Sequence, residues 1–289
     1  MIPSSPAHLH VAALSHSGMT GKINEDRFAV SSFNLGPDDP RPAVFAVVAD
    51  GIGGHRAGEV AAELVVNYIS QGVAESNGKK PLKILENAIH NASQAVAVRS
   101  ATGMEHEGMG ATCACAWVVD RKLYIAHVGD SRIYLIRDGQ IRRLTIDHTW
   151  VQEAIEKGIL DPERAREHPN VHVIRRYLGS GRLPEVDFRL CLEEGEDDQK
   201  ANGNQGFEMG PGDTLLLCTD GLTDLLWDDE ILKTLDSQPD VNAAAEALVE
   251  MANRRGGHDN ITVVLISVPS PAEVVRKKKG FVDWLRREH

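Results

Sequence analysis

Residues 110–144 read GATCACAWVVDRKLYIAHVGDSRIYLIRDGQIRRL, and this stretch decides the fold. It holds four apolar runs, at about 110–119, 122–128, 131–137 and 140–144, with two residues between each and the next. Short runs rich in Val, Ile and aromatic residues are strands, and Asp138-Gly139 marks a hairpin turn between the last two. A two-residue link cannot start a parallel neighbour, which takes a crossover of about a dozen residues or more. These strands are therefore expected to pair antiparallel.

Outward from this block, further strands are predicted at 8–15, 27–33, 43–49, 187–192, 213–218 and 260–268. Helical periodicity marks 56–73, 82–101, 148–158, 228–236 and 241–255. Asp228 and Asp229 suit the start of the fourth helix, where carboxylates meet free backbone amides. The strands are too consecutive for a Rossmann alternation. The pattern is an α+β domain of antiparallel sheets with helices on their outer faces. Residues 193–211, polar and glycine-containing, are expected to form a mobile surface excursion, and 159–186 a flap. We divide the chain into a domain at 1–270 and a basic amphipathic tail at 271–289, RKKK followed by FVDWLRR. That tail reads as a docked last helix or a frayed end rather than a membrane anchor.

Composition narrows the function classes. The hydrophobic fraction is 42% and the charged fraction 25%, as in ordinary soluble proteins. No apolar run reaches the roughly 18 residues of a membrane span, and the N-terminus lacks the pattern of a signal peptide, so a cytoplasmic protein is expected. A net charge of −11 argues against nucleic-acid binding, which needs a basic face. Cys113, Cys115, Cys191 and Cys218 lie in apolar runs without metal-site spacing and read as small buried hydrophobes.

The acidic residues carry more information. VFAVVADG (44–51), LYIAHVGD (123–130), TLLLCTDG (214–221) and DNITVVLI (259–266) each set an aspartate at the end of an apolar strand, and Asn24-Glu25-Asp26 precedes another. A buried carboxylate is costly without compensation, and several that converge need a cation. Oxygen ligands favour Mg²⁺ or Mn²⁺ over Zn²⁺. Glycine beside Asp50 and Asp220 lets backbone and side chain approach one ion together.

On these residues the chain resembles a known family. SGMTGKINEDRF (17–28), VVADGIGGHRAGEVAAE (47–63), GMGATCACAWV (108–118), AHVGDSRIYLIRDGQIRRLTIDHT (126–149), GDTLLLCTDGLTDLL (212–226) and GGHDNITVVLI (256–266) are similar, in order, to the motifs of bacterial-type metal-dependent Ser/Thr protein phosphatases, the protein phosphatase 2C-like family. The resemblance implies a four-layer αββα sandwich of two mainly antiparallel sheets. It implies hydrolysis of phosphoserine or phosphothreonine by a metal-activated water, with no covalent phosphoenzyme. Glu25, Asp50, the carbonyl of Gly51, Asp220 and Asp259 would hold two Mn²⁺ or Mg²⁺ ions, Asp50 bridging both. Asp50, Asp220 and Asp259 are thus the catalytic positions. Asp130 and Asp224 match a third metal, and Asp26 and Asn260 are expected to support the set, Asn260 by orienting Asp259 or a water. The partners implied are a phosphorylated protein and an opposing Ser/Thr kinase, and a monomer is expected.

Two departures from the family pattern bear on the substrate. Gly21 stands where relatives commonly carry a phosphate-binding arginine; Lys22 beside it offers a point charge without the arginine fork. Ile52 stands where some relatives place a histidine, and His55 is the nearby substitute. Arg132 is read as bracing the site, and His127, His148, His168 and His172 as structural or surface residues. One rival is cysteine chemistry at Cys115-x₅-Arg121, which lacks the glycines of a phosphate cradle. The other is a catalytically weak or inactive regulator that binds phosphoproteins on the same fold.

Overall fold

The computed structural model describes residues 1–53 and 57–270. Up to residue 52 the chain lays down β1 (Ile2–Pro3), β2 (His10–His16), β3 (Arg27–Gly36), β4 (Asp39–Ala49) and the short β5 (Gly51–Ile52). Two long helices follow, α1 (Ala57–Ala74) and α2 (Pro81–Ser100). Then come β6 (Gly110–Ala111), β7 (Cys113–Val119), β8 (Lys122–Val128), β9 (Arg132–Arg137) and β10 (Gln140–Arg143). Helix α3 (Trp150–Glu156) follows, the flap holds α4 (Pro162–Ala165), and the polar excursion holds α5 (Asp198–Gly203) and β11 (Phe207–Glu208). The chain continues through β12 (Thr214–Cys218), α6 (Asp220–Thr223), α7 (Asp228–Ser237), α8 (Val241–Arg254) and β13 (Ile261–Ser267).

One sheet runs β1-β3-β4-β7-β8-β11 and the other β10-β9-β12-β13-β2, with every pairing antiparallel. The apolar runs show no polar alternation because both faces of each sheet are covered. In β4, Val44, Ala46 and Val48 point into the core between the sheets, while Ala43, Phe45 and Val47 point toward α1 and α2. In β12, Leu215 and Leu217 join the central core, and Leu216 and Cys218 pack under α8. The layers are therefore helix, sheet, sheet, helix, the expected αββα sandwich. Gly72 lets α1 close on α2, since a Cβ there would sit 2.9 Å from that of Ala88.

Three expectations need correction. The strands of 110–144 do not all pair with their neighbours: β7 pairs with β8 and β9 with β10, but between β8 and β9 the chain passes from one sheet to the other through Gly129-Asp130-Ser131. Residues 187–192 are not a strand. Asp187 alone bridges β8, exchanging backbone hydrogen bonds of 3.0 Å with His127. Beyond it the Leu190 amide donates to Ala201 and the Cys191 amide to Leu144, so the apolar character reflects burial without a ladder. The 193–211 excursion is not a mobile loop. Asp197 caps α5 by accepting from the Lys200 amide at 2.8 Å, and Ala201 and Met209 are buried. Gln205 bonds both the amide and the carbonyl of Ile125. Its polar side chains are spent on neighbouring backbone, which composition cannot distinguish from solvation. The tail at 271–289 lies outside the described residues.

All the marked aspartates fall at one end of the sandwich. There β4, β8 and β12 end, and β3 and β13 begin.

Candidate active site

Each acidic residue is set in place by backbone. The Asp50 amide donates to Thr112 Oγ1 at 3.0 Å and its carbonyl accepts from the Thr112 amide at 2.9 Å. At Gly51 the start of α1 comes so close that a Cβ would lie 2.2 Å from the Gly58 carbonyl. Burial raises the Glu25 carboxyl above its ordinary range, and the nearby amides of Gly58 and Glu59 offset this only in part. At Gly221 a Cβ would meet the Asn260 carbonyl at 1.9 Å, so the turns after β12 and before β13 touch. Asn260 Oδ1 accepts from the Glu25 amide at 2.7 Å, and its own amide donates to Asp259 Oδ1 at 2.9 Å. Asn260 thus ties two candidate ligands together. Asp220 and Asp224 stand one turn apart around α6, where the Asp224 amide donates to the Asp220 carbonyl at 2.7 Å.

Electrostatics show what is missing from this cluster. Burial pushes the Asp50 carboxyl well above its ordinary range, and Asp220, Asp26 and Asp130 push it further. Burial, then Asp224 and Asp259, raise Asp220 to about 6. Asp130 is raised well above the usual value by burial and by Asp220. Asp26 is 2% exposed and raised to about 7 by burial, although Thr219 donates to its Oδ2 at 2.7 Å. Asp26 Oδ1 and Asp130 Oδ1 are buried with no hydrogen-bond partner. Buried, mutually repelling carboxylates with orphaned oxygens are the donor set of a hard divalent cation.

The cleft is continuous. Glu25, Asp50, Gly51, Asp259 and Lys22 line one side, Asp220 and Asp224 the middle, and Asp130 the far side. The Lys22 ammonium is 3.7 Å from Asp259 Oδ1 and half exposed at the mouth. Gly21 adopts φ +74° with open space where a side chain would be, and Arg166 lines the cleft beside Asp220 and Asp224. His55 lies outside the described residues.

Arg132, read from sequence as a brace, pairs with Asp147, its Nη2 2.7 Å from Asp147 Oδ2. His172, read from sequence as structural or surface, is exposed, yet its ring nitrogen, Asp220 and Asp224 have ligand atoms within 4.8 Å of one another. No periodicity could have paired a flap histidine with a helix some fifty residues on. The cysteine rival fails on position: Cys115 is buried in β7 with its thiol pushed well above the ordinary range by burial. Arg121, its supposed partner, pairs with Glu208 at the other end of the sandwich.

Comparison with known proteins agrees with this geometry. Residues 16–265 match the family model described as protein phosphatase 2C. The serine/threonine protein phosphatase PstP of Mycobacterium tuberculosis is 35% identical over 260 residues, 90% of this chain but only 45% of the relative's length. The serine/threonine phosphatase stp of Listeria monocytogenes is 34% identical over 262 residues, 89% of this chain and 95% of that protein. A crystal structure of the PstP catalytic domain in complex with two manganese ions matches with a TM-score of 0.73 at 34% identity, covering 91% of this chain and 99% of that one.

Proposed function

This chain belongs to the protein phosphatase 2C family, and on that premise we propose that it hydrolyses phosphoserine and phosphothreonine in proteins with two Mn²⁺ or Mg²⁺ ions. The observation that carries the reading is the set of buried carboxylates converging at one end of two sheets, with orphaned oxygens and raised proton affinities. Glu25, Asp50, the Gly51 carbonyl, Asp220 and Asp259 would hold the pair, and Asp130 and Asp224 a third ion. When bound, such ions acidify water and neutralise the phosphoryl oxygens of an in-line displacement. The chain supplies position: Thr112 fixes Asp50, Asn260 fixes Glu25 and Asp259, and Lys22 sets a positive charge at the mouth. Asp26 is the second row, held by Thr219 behind the cluster.

A regulator that only binds phosphoproteins would have no use for carboxylates that repel one another at a cost in stability, and the relatives' names favour an enzyme. Residues 1–270 form the catalytic domain in this reading. It extends to an opposing Ser/Thr kinase, a monomer and the cytoplasm, and there rests on the family alone; no helix among the described residues is long and apolar enough to cross a membrane.

The test is hydrolysis of a phosphothreonine peptide after EDTA treatment and again with Mn²⁺ restored. Activity should vanish and return. A folded, Mn²⁺-loaded protein without turnover would return the binding regulator to first place. Lys22→Met should raise KM about two- to fivefold with kcat nearly unchanged, the scale of an exposed ion pair of about 0.2–1 kcal/mol. A loss confined to kcat would remove Lys22 from substrate binding.

A further inference from the structure

We propose that His148 is a positioning residue, a buried clamp that holds the Gly129-Asp130 turn in the conformation that aims Asp130 into the metal cleft. The clamp closes on Gly129 from both sides. The Gly129 amide donates to His148 Nδ1 at 3.0 Å, and the His148 amide donates back to the Gly129 carbonyl at 3.0 Å. Gly129 needs such restraint. Its φ is +108°, a backbone region open to glycine, and it lies so close to Thr112 that a Cβ would meet that side chain at 2.6 Å.

A ring nitrogen that accepts a hydrogen bond carries no hydrogen, so His148 must be the Nε2–H tautomer. Asp187 enforces this, its Oδ2 lying 3.1 Å from Nε2. Burial would push the Asp187 carboxyl up, but hydrogen bonds from His148 and Arg189 outweigh it and hold the group ionised well below the usual range. Arg189 Nε is 2.9 Å from the same oxygen and its amide 2.8 Å from the other. His127 stacks on the His148 ring at 4.7 Å between centroids and donates from Nε2 to the Ile146 carbonyl at 2.8 Å. Arg176 Nη1 lies 3.2 Å from His148 Nε2; with that nitrogen protonated toward Asp187 the contact is not a hydrogen bond, and Arg176 donates instead to the Glu185 carbonyl. The site does not suit a metal of its own, since two guanidinium groups face the ligand atoms and every hydrogen-bonding position on the His148 ring is used.

On the far side of the turn, Ser131 Oγ is 2.7 Å from Thr112 Oγ1, which accepts the Asp50 amide. The clamp therefore belongs to one connected set, from Asp187 through His148 and Gly129-Asp130-Ser131 to Thr112 and Asp50. Outer partners of this kind typically change metal affinity by about 10–100-fold when removed.

The clamp stands on geometry alone; its consequence for Mn²⁺ rests on the phosphatase reading. Asparagine places an acceptor oxygen at the same bond distance from Cβ as Nδ1, whereas glutamine does not. In the full chain, His148→Gln should weaken the weakest Mn²⁺ event in calorimetry by tenfold or more and speed exchange of the Gly129 amide. His148→Asn should recover most of both. ¹⁵N-histidine NMR of the metal-free wild type should show an unprotonated Nδ1 and protonated Nε2 on His148, and Asp187→Asn should blur that preference. Equal damage from Asn and Gln would reduce His148 to a packing residue and overturn the clamp. So would a protonated Nδ1 in the wild type, a result independent of either variant's folding and of any bound metal. A wild type that binds no Mn²⁺ would instead sink the phosphatase reading, while tautomer and amide exchange still decide the clamp.

Discussion

Asp220→Asn should lower Mn²⁺-dependent turnover of a phosphothreonine peptide by about 10²- to 10³-fold, the scale of losing one preorganised electrostatic partner, while making the metal-free protein more stable. Both effects have one cause. Asp220 is raised to about 6 chiefly by burial and then by Asp224 and Asp259, and is ionised at neutral pH among groups of its own charge. Asparagine keeps the shape but removes the charge, so repulsion falls in the metal-free state and the cation loses a ligand. The turns around Asp220 are fixed by backbone, Gly221 against Asn260 and the Thr219 amide on Thr262, so the substitution leaves the frame intact. Steady-state kinetics across an Mn²⁺ titration, with calorimetric melting in EDTA, measure the two halves. Turnover within tenfold of wild type at saturating Mn²⁺ would remove Asp220 from the metal set. A lower melting temperature in EDTA would mean that the cluster is not under electrostatic strain.

That such a residue could be chosen from sequence follows from what strands reveal. An aspartate after LLLCT or FAVVA is conspicuous because the run before it leaves no solvent-facing alternation, so the carboxylate must emerge from a core. The positions of Asp50, Asp130 and Asp220 were legible for this reason, as was the order of the long elements; Asp259 was legible because it stands directly before the last apolar strand. What holds them was legible only in part. Asn260 was marked as orienting Asp259, but not its bond to the Glu25 amide. Thr112 and His148 act through contacts with residues far along the chain, and a threonine before a strand carries no mark of the amide it will accept. Asp187 shows the same limit from another side. The apolar character of 187–192 was real, with Leu190 in the core between the sheets, but it reports burial and not hydrogen bonding. Polar residues at 193–211 misled for the converse reason, since Asn204 and Gln205 spend their amides on buried backbone.

The same charge cluster predicts an unusual pH dependence. Between pH 6.5 and 8 the metal-free protein should lose stability as pH rises, by about 1.4 kcal/mol per pH unit for each proton the fold still retains. The sign follows from proton counts. In the unfolded chain every carboxyl is already ionised in this window, whereas in the fold Asp26 titrates at about 7 and Asp50 and Asp130 are held well above their ordinary range by burial first and then by neighbouring carboxylates. The folded state therefore binds more protons, and raising the pH favours unfolding. His127 works the other way, because burial and His148 lower it to about 4, but its contribution is complete once the unfolded histidine has lost its proton near 6.5. Asp147 and Asp187, both lowered, matter only in acid. With roughly one to two protons involved, the melting temperature in EDTA should fall by several degrees across the window, at about 2–4 °C per kcal/mol. Saturating Mn²⁺ should cancel or reverse the slope, since cations bind the deprotonated carboxylates and their binding becomes folding stability. A metal-free melting temperature that climbs from pH 6.5 to 8 would mean the carboxylates are already ionised without a cation, and the physical case for the metal cluster would lose its foundation.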